Sequence, residues 1–231
     1  MRPLTAAVDE LLFPPTCAGC GTRGVWLCED CARGLRAVPL PTCRCGRPAF
    51  YGSSVCAICA DWPDAVGAVR AAFVFEGPVR DSIHRFKYRR ERARGQFLGT
   101  LLAEFALTVA AKNAVPADIV VPMPLYAARE RERGFNQAEV LARPVAERLE
   151  IPVRRALQRT IETRSQVGLG FEERQRNVQH AFKCLAGAVE GAGVLVIDDV
   201  VTTGATFEAA ARALLTAGAV RVDGLALARE L

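Results

Sequence analysis

No window of the chain holds the roughly 18 uninterrupted apolar residues that a membrane-spanning helix requires, so no span is expected within its 231 residues. The apolar stretch at the amino terminus is interrupted by Asp9 and Glu10. That pattern argues against a signal peptide and for a cytoplasmic protein. Net charge is also scarce, at +5 with 24% charged residues. The 51% apolar content supplies a substantial core, so a disordered chain is not expected. Internal repeats are missing except for one built from cysteine. Past Cys59 the only cysteine is Cys184, whose apolar surroundings predict a buried core thiol.

The other eight cysteines stand in four close pairs: Cys17/Cys20, Cys28/Cys31, Cys43/Cys45 and Cys56/Cys59. Where thiols stay reduced, such pairs are metal ligands rather than disulfides. A tight Cys-x-x-Cys turn puts two thiolates on one side of the backbone, and two such turns close a tetrahedron around Zn2+. Four pairs therefore imply two zinc ions. Gly19, Gly21 and Gly46 suit knuckle turns with positive φ. Sequential pairing groups Cys17, Cys20, Cys28 and Cys31 apart from Cys43, Cys45, Cys56 and Cys59, whereas an interleaved arrangement joins alternate pairs. The short interval from Cys17 to Cys28 matches a compact ribbon and favours the sequential form. Four thiolates leave no coordination position for water, so both sites are expected to be structural. The Cys43/Cys45 pair is one residue shorter than the rest, which predicts a distorted or weaker second site.

Residues 1–64 are thus expected to form a small zinc-ribbon module and 65–231 a separate domain. In the latter, β-branched runs alternate with helical patterns, the βαβ signature of a parallel sheet flanked by helices. Strands are expected near Val66–Phe75, Asp118–Pro122, Pro152–Leu157, Val178–Cys184, Val194–Ile197 and Arg221–Ala228, with helices between them. Val79, Ile83 and Phe86 recur at helical spacing after Pro78, and Pro144 should kink a helix over 137–149.

The segment from Val194 to Thr206 carries the chemistry. A buried strand delivers Asp198 and Asp199, and Thr202, Thr203, Gly204, Ala205 and Thr206 form a small hydroxyl-rich loop before a helix over Phe207–Ala217. A loop feeding a helix N-terminus offers free N–H groups and the positive end of the helix dipole to a phosphate. The adjacent carboxylates, expected to face solvent, can accept hydrogen bonds from ribose hydroxyls.

An apolar strand, two acids, two apolar residues and a Thr/Gly loop together resemble the signature of type I phosphoribosyltransferases. The full chain resembles the ComF family of competence-related, phosphoribosyltransferase-like proteins with an N-terminal double zinc ribbon. Further matching segments are Phe75–Tyr88, Arg129–Gln137 after Pro122–Leu125, and the Arg159–Asn177 stretch that corresponds to the family's mobile loop.

This resemblance implies phosphoribosyl pyrophosphate with Mg2+ as ligand. The 5′-phosphate is expected on Thr202–Thr206, the ribose and catalytic contacts on Asp198 and Asp199, and pyrophosphate on Arg129, Arg131 and Arg133, with Lys87 near the same mouth. Arg164, Arg174 and Arg176 would close over the ligand, while His84 is expected to be merely packed or solvated. The implied activity is phosphoribosyl transfer to an unassigned acceptor in DNA uptake and natural transformation. The alternative is a non-catalytic single-stranded DNA-binding factor acting with competence helicase or processing proteins. For DNA, the basic stretch Arg80–Arg94 offers Arg80, Arg85, Lys87, Arg89, Arg90, Arg92 and Arg94 against Asp81 and Glu91.

Overall fold

The computed structural model describes residues 14–49, 55–89, 91–113, 117–160 and 181–231. A short helix α1 (Glu29–Arg33) lies in the cysteine-rich segment. There follow β1 (Val66–Val74), α2 (Gly77–Tyr88), α3 (Arg92–Asn113), β2 (Ile119–Pro122), α4 (Ala127–Arg133) and α5 (Gln137–Leu149). The chain ends through β3 (Leu157–Arg159), β4 (Phe182–Cys184), β5 (Gly193–Val201), α6 (Ala205–Thr216) and β6 (Arg221–Arg229). Strands β1, β6, β5 and β2 form one parallel sheet in that order.

The central strands β5 and β6 are apolar almost throughout because both faces are covered. On one face Val79, Phe86, Leu102, Leu141 and Val145 of α2, α3 and α5 pack against Val120, Ile197 and Leu227. On the other, Phe207, Ala210 and Leu214 of α6 meet Val66, Val196 and Val222 together with Cys43, Cys45, Cys59 and Trp62 of the cysteine-rich segment. The second group of cysteines is therefore part of the sheet's own core.

Three expectations need correction. The strand anticipated over Pro152–Leu157 reduces to a single bridge from Val153 to Val120, because the chain diverges after one residue pair. Leu157–Arg159 instead pairs antiparallel with Phe182–Cys184, making a two-stranded sheet of its own. Strand β5 runs on to Val201, since Asp198, Val200 and Val201 stay in register with Ala226, Ala228 and Arg229. The two acids thus lie inside the strand and not beyond it. Cys184 is only partly buried, at the margin of the core.

Pro144 sits inside a continuous α5 and fills the space above Gly99 of α3, where an added Cβ would come 2.9 Å from its ring. At the entry to α5, Asn136 accepts from the Ala138 N–H at 2.9 Å and donates to the Met123 carbonyl at 3.0 Å. One side chain thereby caps the helix and ties it to the end of β2.

Gly95 in α3 gives a test of which effect wins. Helix propensity alone would make Gly95→Ala stabilising by about 1 kcal/mol. A Cβ there would lie 2.2 Å from Phe86, however, and that ring is fully buried and stacked on Phe135 at 5.2 Å. Overpacking costs about 1–3 kcal/mol, so Gly95→Ala should lower stability in chemical denaturation; a more stable variant would show that the Phe86 ring can move aside.

Candidate functional site

The eight clustered cysteines gather in two sets, Cys17/Cys20/Cys28/Cys31 and Cys43/Cys45/Cys56/Cys59, each with all sulfurs within 4.8 Å of one another. Four thiolates about 2.3 Å from a tetrahedral Zn2+ stand about 3.8 Å apart. Contacts of 3.7 Å from Cys17 to Cys28, 3.5 Å from Cys20 to Cys28, 3.7 Å from Cys43 to Cys56 and 3.9 Å from Cys56 to Cys59 fit that edge. The arrangement is the sequential one. The short Cys43/Cys45 pair is compressed to 3.0 Å, as its spacing led us to expect. Gly21 and Gly46 have the positive φ that the knuckles require. Gly19 does not, and is small for another reason: a Cβ there would lie 2.7 Å from the Cys31 sulfur.

The two sets dock on different parts of the molecule. Beside the first, the wholly buried Arg94 donates to the carbonyls of Thr16 at 2.8 Å and Trp26 at 3.0 Å, covers the Trp26 ring and pairs with Glu91. Arg94 is therefore a clamp and unavailable to DNA. The second set lies beneath β1, where the Val69 N–H donates to the Arg44 carbonyl at 2.8 Å.

At the carboxyl end of the sheet, Gly204 caps α6 with φ 89°, a backbone state natural to glycine. The Ala205 N–H is held by the Thr203 hydroxyl at 3.3 Å. Asp198, Thr202, Gly204 and Thr206 line one small cavity of about 70 Å3. A larger cavity of about 310 Å3 lies among Arg70, Leu195 and Asp223 at the opposite ends of the strands. Ligands of parallel sheets bind at the carboxyl ends, and the Asp223 carboxylate is already committed to the Ala68 N–H and to Arg221.

The acids do not both face solvent. Asp199 is 3% exposed and pairs with the Lys87 ammonium at 2.7 Å. Asp198 is half-buried, and burial, reinforced by the charge of Asp199, pushes its carboxyl up to about 7. As consecutive residues of a strand the two carboxylates point to opposite faces, and Asp199 already has Lys87, so only Asp198 is a hard oxygen donor that a Mg2+ ion at the cavity would relieve.

Among the expected cations, Arg129 and Arg131 are exposed on α4. Arg133 is half-buried, hydrogen-bonded to Gln137 and placed 5.7 Å over the Tyr88 ring. Arg164, Arg174 and Arg176 lie outside the described residues. Sequence reasoning missed a role for Arg159 at the end of β3. Burial depresses its guanidinium, and Asp198 opposes that shift while Arg129 adds to it. Arg159 thus belongs to the same charged cluster; the signal was its position at the start of the Arg159–Asn177 segment.

The structure defines a phosphoribosyltransferase-fold protein carrying a double zinc ribbon. A phosphoribosyl transferase domain model matches residues 136–229 and a double zinc ribbon domain model residues 8–60. The chain is 31% identical to the DNA utilization protein YhgH of Salmonella typhi, over 89% of this chain and 91% of that protein. It is 30% identical to the competence protein ComFC of Bacillus subtilis, covering 88% and 84% of the two chains. Against competence protein F of Haemophilus influenzae the identity is 26%, over 88% and 90%. The chain belongs to the ComF family. Among the described residues, no helix is long and apolar enough to cross a membrane.

The environment of Asp198 predicts a stability cost. In the unfolded chain an aspartate ionises near pH 4, whereas in the fold this one holds its proton to about 7. Stability is therefore lost as pH rises through that interval and stays lost above it. Asp198→Asn should stabilise the fold at pH 8 by on the order of 1–3 kcal/mol, and by much less at pH 4.5. Denaturation at the two pH values checks this; an equal effect at both would refute the buried-acid reading.

Proposed function

We propose that this protein binds phosphoribosyl pyrophosphate with Mg2+ at the carboxyl end of its sheet and serves the cytoplasmic handling of DNA taken up by the cell. The observation that carries the reading is the joint placement of an acid and the Thr/Gly loop. Asp198 of β5 and Thr202, Gly204 and Thr206 at the entry to α6 line one cavity, while Asp199 points to the other face of the strand, to Lys87. A protein that only held nucleic-acid phosphates would gain nothing from carboxylates that repel them.

The 5′-phosphate would rest on the α6 N-terminus, with donors from Thr203 and Thr206 and the dipole of a 12-residue helix behind them. Asp198 would accept from a ribose hydroxyl once ionised. Arg129, Arg131 and Arg133 would hold the pyrophosphate, since guanidinium forks match phosphate oxygens, and Arg159 lies beside them. Bound Mg2+ would supply charge neutralisation on the pyrophosphate. In a transfer reaction the bond from the anomeric carbon to pyrophosphate breaks, its electron pair leaves with pyrophosphate, and the lone pair of an acceptor forms the new bond. The donors on the leaving phosphates stabilise the departing charge. Residues 1–64 would act as a structural zinc module for the domain of 65–231.

Titration calorimetry with phosphoribosyl pyrophosphate and Mg2+ tests the reading. Asp198→Asn is a cleaner probe than Asp199→Asn, which would strip the largely buried Lys87 of its partner. Asp198→Asn should weaken binding while the fold holds, and Thr203→Val should cost on the order of 1.5–3 kcal/mol by losing a hydroxyl donor to a charged acceptor. No binding by the folded parent would remove the proposal.

A second reading, single-stranded DNA binding, is favoured by a specific surface. Phe75 and His84 stack at 6.0 Å, His84 and Tyr88 approach to 5.7 Å, and Arg133 covers Tyr88, which is 71% exposed. His84 is thus an exposed rung between the rings of Phe75 and Tyr88. Arg89 and Arg92 lie nearby at the end of α2 and start of α3, and Arg90 is outside the described residues. Arg80 is paired with Asp81, and Arg85 reaches Thr16. The usable basic surface is smaller than the sequence total. Bases stacked on such a ladder contribute about 1–3 kcal/mol each, and binding weakens steeply with salt. Tyr88→Ala and the pair Arg89→Glu with Arg92→Glu should each weaken single-strand binding in fluorescence anisotropy; salt-insensitive or unchanged binding would discard this surface.

A further inference from the structure

The guanidinium of Arg229 is completely buried at the carboxyl end of β6. Its Nη1 donates to the Cys45 carbonyl at 2.7 Å and its Nη2 to the Thr202 carbonyl at 2.9 Å. The Nε has no acceptor. Among the described residues no carboxylate lies within ion-pair distance, and the Cys45 carbonyl that accepts from Nη1 belongs to the second four-cysteine set. A buried cation without a counter-charge costs several kcal/mol, and a zinc ion held by four thiolates carries net negative charge. The second cysteine knuckle thus fits as the counter-ion of this arginine.

The same arginine holds the first residue of the phosphate loop, and that loop rests directly on the knuckle. A Cβ at Gly204 would lie 3.3 Å from Trp62 and 3.6 Å from the Cβ of Cys45, and Trp62 packs on Phe207 of α6 at 5.7 Å. Gly46, with φ 82°, leaves room for the Arg229 Nη1, which a Cβ would approach to 3.1 Å. The first cysteine set instead docks on α2 and α3 through Arg85 and Arg94.

We propose that Arg229 is a positioning residue that, with the metal-bound second knuckle, fixes the Thr202–Thr206 loop for phosphate. Phosphate binding therefore depends on zinc at the second site and far less on zinc at the first. The inference rests on the phosphoribosyl pyrophosphate reading for its ligand, but not for the coupling itself.

Cys59→Ser and Cys20→Ser are compared with the parent by zinc content, by hydrogen exchange at the Ala205 and Glu208 amides, which donate to the Thr203 hydroxyl and the Gly204 carbonyl, and by calorimetry with phosphoribosyl pyrophosphate and Mg2+. Cys59→Ser should lose one zinc, lose protection at those amides and bind at least tenfold more weakly than Cys20→Ser, which also loses one zinc. In Arg229→Lys, which keeps the charge but cannot span both carbonyls, both zinc ions should remain while loop protection and affinity fall. If the parent binds no ligand, the ligand reading fails and exchange alone still decides the coupling. Equal loop protection in both cysteine variants, or an unaltered loop in Arg229→Lys, overturns the inference.

Discussion

Guanidinium groups that water cannot reach set the relation between the metal ribbon and the sheet. Arg94 and Arg229 are both wholly buried, and each donates to at least one backbone carbonyl of the cysteine-rich segment. Such charge-assisted bonds in a low-dielectric interior are strong when satisfied and costly when broken. Arg94 has Glu91 beside it and behaves as a self-contained clamp. Among the described residues Arg229 has no such acid beside it, and its donors go to the carbonyls of Cys45 in the second cysteine set and of Thr202 at the start of the loop. The second cysteine set, the end of β6 and the Thr202–Thr206 loop are thus joined through one buried guanidinium.

The acids of β5 show a site that works against stability. Asp198 and Asp199 are neighbours in a strand that is otherwise apolar. Lys87 reaches from α2 to neutralise Asp199, while Asp198 is left to be held partly protonated near neutral pH. A fold selected only for stability would place neutral residues here. A cation or a ribose hydroxyl beside Asp198 would relieve that cost.

Much of this was legible in the sequence where local pattern and long-range structure agree. The Cys-x-x-Cys turns, the apolar run before Asp198 and the Thr/Gly loop are short-range signals whose geometry follows from a few consecutive residues. Strand pairing beyond one partner is not local. Pro152–Leu157 reads as one more parallel strand, yet it makes a single bridge at Val153, and the strand that does form, Leu157–Arg159, lies antiparallel to Phe182–Cys184. Burial of charge was also hidden: Arg94 looks like a surface cation in its basic run, and only Thr16 and Trp26, far away in the chain, reveal it as a core residue. Arg229, near the end of the chain, carried no sequence signal at all.

The central claim is that the N-terminus of α6 and the β5 acids form a phosphoribosyl site. A crystal structure of the protein soaked with phosphoribosyl pyrophosphate and Mg2+ tests it most directly. The account predicts the 5′-phosphate on the N–H groups of Thr203 to Thr206, with the ribose beside Asp198. A ligand bound elsewhere on the molecule, with that loop empty, would contradict it.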